Sequence, residues 1–365
     1  MSIPTRGSAL NITLQSHAGK RSRKAAGSAL DFLCANASAF TRQPSRLSLE
    51  LRPVTELDPS ARLVVDAMAA AGQPGLETLS SAEARAAFAI GMSMLQARPI
   101  EVGPIQDLVA ETAHRAIPMR SYRPLSVDPQ TPAPAIVFFH GGGFYLGDLE
   151  VFDRQCRRLC RAANCVVISV DYRLAPEHKF PAAPQDAFAA LKWIAANAGR
   201  LAIDAERLAV AGDSAGGNLA AVVCLMAREA GAPTISHQTL IYPATNLSAE
   251  PIDGLFLTEA MMRHFLAVYM GSEADAKDWR ASPALAESHA GLPPATVLVC
   301  GHDPLHDDGL AYSAALKSAG VPVQELRFSG QIHGFLLMDA AIPEAATAMD
   351  KIGRLIQSAL KRSPR

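Results

Sequence analysis

A serine hydroxyl becomes a nucleophile only when a base takes its proton, a third group orients that base, and donors await the oxyanion that forms. The stretch Gly212-Asp213-Ser214-Ala215-Gly216 offers the serine. Arg207 to Ala211 before it reads as a buried strand, and the run of small and apolar residues from Gly216 onward reads as a helix. A serine pressed into a sharp strand-to-helix turn takes strained backbone angles. Its neighbours two residues away must then lack bulk, and here both are glycine. The turn lifts the hydroxyl off the sheet, and the helix behind it points free N–H groups at negative charge developing there.

Partners for the serine stand further along. His333, in Gly330-Gln331-Ile332-His333-Gly334-Phe335, lies just past the last expected strand, where an α/β sheet places its site. A surface-loop histidine is the bland alternative. Asp303, in Cys300-Gly301-His302-Asp303-Pro304-Leu305, follows the run ATVLVC. It also reads as an Asp-Pro cap for the helix running to Gly320, and the two uses are compatible. His140-Gly141-Gly142-Gly143 follows the strand AIVFF, and backbone N–H groups can converge on a small anion where no side chain obstructs them. Ala215, directly after the serine, supplies a further N–H. GGGFYLG fits neither G-x-G-x-x-G nor a P-loop, so no phosphate cradle and no cofactor is expected. His302 and His306 with Asp303, Asp307 and Asp308 resemble a metal cluster, but no Glu or third His completes it at helical spacing, and no metal is expected.

With these sites in hand the chain resembles the bacterial hormone-sensitive-lipase-type carboxylesterases. These are α/β-hydrolases marked by H-G-G-G, D-Y-R-L-A-P-E, G-D-S-A-G, D-P-L and H-G-F. All five stand here in order, at His140–Gly143, Asp171–Glu177, Gly212–Gly216, Asp303–Leu305 and His333–Phe335, and the resemblance runs from about Leu57 to Leu360. It implies Ser214 as nucleophile, His333 as general base and then acid, and Asp303 as orienting carboxylate. It implies an oxyanion hole of the Gly142, Gly143 and Ala215 N–H groups, with His140 and Gly141 shaping the loop. It implies buried bracing charge at Arg173, Glu177 and His178, and a helical cap from about 55–95 and 245–285. In the second cap segment Met261, Met262, Phe265 and Tyr269 fall at helical spacing, open to either core packing or an acyl pocket. Phe144 is a further candidate for substrate contact. Asn246 departs from the family pattern, which has Asp there, at a structural turn. The expected substrate is a small-molecule ester of short to medium chain. An amide, carbamate or lactone would suit the same triad. A binding protein on this fold, as in the plant gibberellin receptors, would lack the histidine. The family also raises a homodimer through a late strand or helix, for which no residue here argues.

The elements that must position these residues are legible as alternation. AIVFF (135–139), CVVISV (165–170), RLAVAG (207–212), TISHQTLIYP (234–243), ATVLVC (295–300) and VQELRF (323–328) read as strands. Helical patterns lie near 153–163, 184–198, 216–230, 257–270, 305–319 and 343–361. This predicts an α/β fold with a mostly parallel central sheet and helices on both faces. Leu108–Ala113 and Ile117–Tyr122 suggest an antiparallel pair ahead of it. Asp58-Pro59 starts one helix and Ser81 to Leu95 forms a second, both expected as lid rather than core.

The totals agree. A chain of 365 residues, 49% hydrophobic and 19% charged, can form one large α/β domain, here 51–365. Its net charge of -1 gives no general attraction for nucleic acid or an anionic membrane. No apolar run approaches the roughly 18–20 residues of a membrane span, so stable membrane insertion is not expected. The six cysteines include no C-x-x-C pair, which suggests a reducing, cytoplasmic setting. Residues 1–50 are basic, with Arg6, Lys20, Arg21, Arg23, Lys24, Arg42 and Arg46 against Asp31 before Glu50. They read as a flexible arm or as a cleaved targeting segment.

Overall fold

The computed structural model describes residues 56–113 and 115–361; the expected arm at 1–50 lies outside them. Two helices come first, α1 (Pro59–Ala71) and α2 (Ser81–Leu95). Asp58 caps α1 by accepting the Ser60 and Ala61 N–H groups, and Ser80 with Glu83 forms a capping box on α2.

The strands are β1 (Ile105–Glu111), β2 (Ala116–Tyr122), β3 (Ala133–Phe139), β4 (Val166–Val170), β5 (Ile203–Asp213), β6 (His237–Ile241), β7 (Ala295–His302) and β8 (Val323–Ile332). They form one sheet in the order β1-β2-β4-β3-β5-β6-β7-β8. β1 with β2 and β2 with β4 are antiparallel, and the other pairings are parallel. The antiparallel pair sits three residues earlier at its start than expected, at Ile105. β8 runs on to Ile332, and β6 is shorter than the apolar run that announced it.

The central strands read as unbroken apolar runs because both faces are covered. Ala135, Val137 and Phe139 of β3 enter one core cluster, while Ile136 and Phe138 enter the other. The first cluster packs α4 (Ala182–Ala196) and α5 (Ala215–Ala230) on the sheet, together with α7 (His306–Ser318). The second packs α3 (Asp153–Ala163) and α8 (Glu344–Ala359) on the opposite face. Each fully buried aliphatic or aromatic side chain contributes roughly 1.5–3 kcal/mol. From β3 the chain passes through α3 to β4 on one side, then through α4 to β5 on the other. That reversal opens a crevice beyond the carboxyl ends of β3 and β5.

The remaining helix, α6 (Glu259–Tyr269), belongs to the segment after β6. Asn218 on α5 gathers the two ends of that segment, its Nδ2 donating to the carbonyls of Ala244 (2.7 Å) and Ala281 (2.6 Å). Ala84, Tyr145, Leu146, Leu257 and Phe265 make a third, smaller cluster between α2, α6 and the loop after β3. The first helix departs from the expected lid. Ala61 and Val64 of α1 are buried in the second core cluster beside Ile332 and Leu336. The Asp58 N–H donates to the Gly330 carbonyl at 2.8 Å, which ties the helix entry to the end of β8 and brings its inner face onto the sheet layer.

Candidate active site

Four strands end at the crevice, and the residue directly after each is one of the candidates: His140 after β3, Ser214 after β5, Asp303 after β7 and His333 after β8. Ser214 takes φ 54 and ψ -118, left-handed backbone that a side chain rarely adopts. The flanking glycines make this turn sterically feasible. A Cβ on Gly212 would come within 2.1 Å of the Gly216 carbonyl oxygen, and one on Gly216 within 1.9 Å of the Phe139 carbonyl oxygen. The Ser214 N–H donates to the Ile241 carbonyl at 2.8 Å, which ties the turn to β6.

Ser214, His333 and Asp303 come together in one line. His333 Nδ1 lies 2.7 Å from Asp303 Oδ2, and His333 Nε2 lies 2.9 Å from Ser214 Oγ. A carboxylate facing Nδ1 keeps the proton there, which leaves the Nε2 lone pair for the serine hydroxyl. Asp303 and His333 are both buried. The second oxygen of Asp303 accepts the Leu305 N–H at 2.8 Å in the turn ahead of α7. The expected Asp-Pro cap does not form: α7 begins at His306, after Leu305, with no side-chain cap. The Tyr242 ring packs on His333 at 4.8 Å.

The loop after β3 carries the expected oxyanion donors. Gly142 and Gly143 have φ +111 and +63, and a Cβ on Gly142 would meet the Leu146 carbonyl oxygen at 2.3 Å. Among the described residues, the N–H groups of Gly142, Gly143 and Ala215 donate to no backbone carbonyl. His140 is fully buried, stacked on Tyr172 at 4.4 Å, and its Nδ1 faces the Gly141 carbonyl at 2.8 Å. Burial pushes its pKa down to about 4, so it is neutral and structural. The Tyr172 hydroxyl donates to the His140 carbonyl at 2.7 Å.

Asp213 is the site residue that sequence reasoning passed over, although it stands inside the serine motif. Its carboxylate is buried and Oδ1 accepts the Gly141 N–H at 2.9 Å. Burial pushes its pKa up to about 7, against the opposing pull of His333 and the Gly141 N–H. Asn218 and Tyr172 were likewise silent in sequence, since their partners lie on other elements.

The expected bracing charges divide. Arg173 holds buried Asp186 with two bonds of 2.8 Å, and Arg115 joins at 2.7 Å. Glu177 and His178 are exposed instead. The Ala175-Pro176-Glu177 turn reaches the surface where α2 passes, and Glu177 pairs there with Arg85 at 2.7 Å. Asn246 opens a turn: its Oδ1 accepts the Ser248 N–H, and its own N–H joins that of Thr245 on the Asp308 carboxylate. The suspected metal residues disperse, with Asp303 on His333, Asp308 on Thr245 and His306 on Asp307. Among the described residues no group of three or more His, Cys, Asp or Glu could hold a metal ion.

A cavity of about 170 Å³ lies over Ser214 and His333. Phe144, Met261, Met262 and Phe265 all line it, with Tyr269, Phe88 and Met92. Phe265 and Tyr269 are buried and the two methionines half-buried, so the stripe on α6 both packs and faces the cavity.

A serine at a strand-to-helix elbow, a histidine and carboxylate on later strand ends, and glycine N–H groups opposite define an α/β hydrolase. The family model for the alpha/beta hydrolase fold matches residues 136–337. The chain is 41% identical over 255 residues to an esterase of Mycobacterium tuberculosis, LipI, covering 68% of this chain and 79% of that one. It is 36% identical over 295 residues to an ethyl acetate hydrolase of Pseudomonas putida, covering 78% and 92%. An ester hydrolase from the Lake Arreo metagenome, solved with a bipyridine phosphonate derivative, superposes with a TM-score of 0.79 at 41% identity, covering 83% of this chain and 98% of that one. This chain belongs to the α/β-hydrolase family, and to its hormone-sensitive-lipase type. Among the described residues no helix is long and apolar enough to cross a membrane.

Proposed function

We propose that this protein is a serine carboxylester hydrolase acting on short- to medium-chain esters through an acyl-enzyme. The observation that carries this is the hydrogen-bonded line from Asp303 through His333 to Ser214, 2.7 and 2.9 Å long, on a serine held at a strained elbow. In this reading His333 Nε2 takes the hydroxyl proton as Ser214 Oγ attacks the ester carbonyl carbon. The carbonyl oxygen becomes an oxyanion received by the Gly142, Gly143 and Ala215 N–H groups. Collapse of that intermediate breaks the bond to the alkoxy oxygen, and His333 gives the leaving alcohol its proton. Water then repeats the sequence: it loses a proton to His333 and adds to the acyl carbon, and Ser214 leaves with the proton returned. Asp303 holds the imidazole in the required tautomer and offsets its transient positive charge.

The apolar walls of the cavity and its modest size favour a short acyl group, and the similar protein of Pseudomonas putida is an ethyl acetate hydrolase. The five described cysteines are free and buried thiols, which favours a cytoplasmic setting.

The test is the mass shift after treatment with a fluorophosphonate, with the modified peptide mapped, then p-nitrophenyl ester rates across acyl lengths. Labelling at Ser214 with a rate maximum at short acyl chains is the expected result. Absence of labelling in folded protein overturns the reading. Equal rates on a matched amide would widen the substrate class beyond esters.

A further inference from the structure

The oxyanion loop is built from two sides. The sheet side holds its start and end: Asp213 takes the Gly141 N–H, the Tyr172 hydroxyl holds the His140 carbonyl, and the Ala175 N–H holds the Phe144 carbonyl at 2.8 Å. Gly143 stands between these anchors with φ +63 and no side chain. Among the described residues neither its N–H nor its carbonyl enters a backbone hydrogen bond. The Gly142 carbonyl closes the turn around it by accepting the Tyr145 and Leu146 N–H groups at 3.1 and 2.8 Å, and with no side chain of its own Gly143 leaves the space beside it to a neighbour.

The cap covers it. Phe265 and Tyr269, one turn apart on α6, meet consecutive loop residues. The Tyr269 ring stacks on Phe144 at 4.0 Å and 7°. The Phe265 ring lies so close above Gly143 that a Cβ there would come within 2.3 Å of its Cδ2 atom, and it also leans on Tyr145 at 5.8 Å. From α2, Arg85 Nε donates to the Tyr145 carbonyl at 3.0 Å.

We propose that Phe265 is a positioning residue for the hydrolytic step: its ring, delivered by the cap, holds the Gly143 N–H where the oxyanion forms. The proposal rests on the serine-hydrolase reading above. The ring excludes the space into which Gly143 would otherwise turn, so its loss frees the donor rather than the nucleophile. Because the carbonyl oxygen carries full charge only in the tetrahedral state, the deficit falls on turnover and not on ground-state binding. A residue that merely walls the substrate site would act the other way, through KM.

The experiment compares wild type with Phe265→Ala and Phe265→Leu. It measures kcat and KM on p-nitrophenyl butyrate, and inhibition by a butyl trifluoromethyl ketone, which forms a tetrahedral serine adduct, against the matching methyl ketone. For Phe265→Ala the expected result is a loss of roughly 10- to 100-fold in kcat, a parallel loss for the trifluoromethyl ketone, and KM and methyl ketone inhibition within about threefold. Phe265→Leu, which covers Gly143 in part, falls between, and it decides the matter if the alanine variant does not fold. A raised KM with a shifted acyl-length profile and intact kcat overturns the proposal, as does wild-type behaviour in both variants. The underlying reading fails separately, if Ser214→Ala keeps its turnover or if wild type binds the two ketones equally.

Discussion

The two halves of the site are held by different means. Ser214, Asp303 and His333 each follow a strand end directly, so their backbone positions are those of the sheet itself. The loop from Gly141 to Leu146 leaves β3 and turns outward. Its residues depend on side chains from four other places: Asp213, Tyr172, Arg85 of α2, and Phe265 with Tyr269 of α6. The sheet-borne half is rigid by packing, since β5 and β7 are largely buried and β8 is buried where it ends. The loop half is held by its own turn and by sheet-side anchors, and in addition by contacts from α2 and α6. The proposed roles then predict a nucleophile that stays assembled and a transition-state stabilisation that responds to substitutions in the cap.

The comparison can be broken from its strong side first. Ser214→Ala removes the proposed nucleophile and is expected to lower kcat on an activated ester on the order of 10^4- to 10^6-fold, read by stopped assays at high enzyme concentration. Gly143→Ala strikes the loop, where the added methyl meets Phe265 at a left-handed backbone angle. A loss of about 100- to 1000-fold in kcat is expected, with the fluorophosphonate still reaching Ser214 at a reduced rate. A retained kcat would show that the loop does not depend on that glycine.

Asn218→Ala loosens the neck of the cap without touching either half directly. The half-buried Ala244 carbonyl and the buried Ala281 carbonyl lose their shared donor, and a destabilisation of about 1–3 kcal/mol is expected in urea unfolding. If the cap governs the loop, kcat should fall while the rate of simple Ser214 alkylation holds.

The smallest effect concerns pH. Burial raises the Asp213 pKa to about 7, above the range of an exposed carboxylate. The folded state therefore binds this proton more tightly than the unfolded chain. The stability it contributes is fully present below the ordinary carboxylate pKa and is lost as pH rises through about 7. Asp213→Asn keeps an acceptor for the Gly141 N–H and removes the titration. Its thermal midpoint should gain on that of the parent as pH is raised from about 4 to about 8. Parallel midpoints across that range would place the relevant proton elsewhere.

What could be read in advance follows the length scale of each constraint. Gly212 and Gly216 must be glycine because of each other and of Phe139, and the first of these clashes lies within five residues of chain. The strands were legible because burial on both faces demands unbroken apolar runs, and the residues one to five positions past the runs 135–139, 207–212, 295–300 and 323–328 were thereby placed near the crevice. Ser214, Asp303, His333 and the glycine loop could be named together for that reason. Asp303 was open to two uses, and the structure gives one oxygen to His333 and the other to the Leu305 N–H in a local turn, while the helix starts at His306 without a side-chain cap. Glu177 was misjudged as buried because a motif records which residues recur together and says nothing of which way a turn faces.

By itself the sequence determined the sheet, the elbow, the residues at the strand ends and the family of the chain. The first three depend on periodicity and on contacts between near neighbours, both of which are written locally; the family rests on the resemblance of five motifs standing in order. Only the tertiary structure decided that α1 is part of the core, that Asn218 closes the neck of the cap, and that Phe265 covers Gly143. The last contact spans 122 positions in the chain, and a phenylalanine on an apolar helix stripe looks the same whether it faces a core, a substrate or a glycine. Hydrophobic contact is non-directional, so its partner is chosen by the packing of the whole molecule.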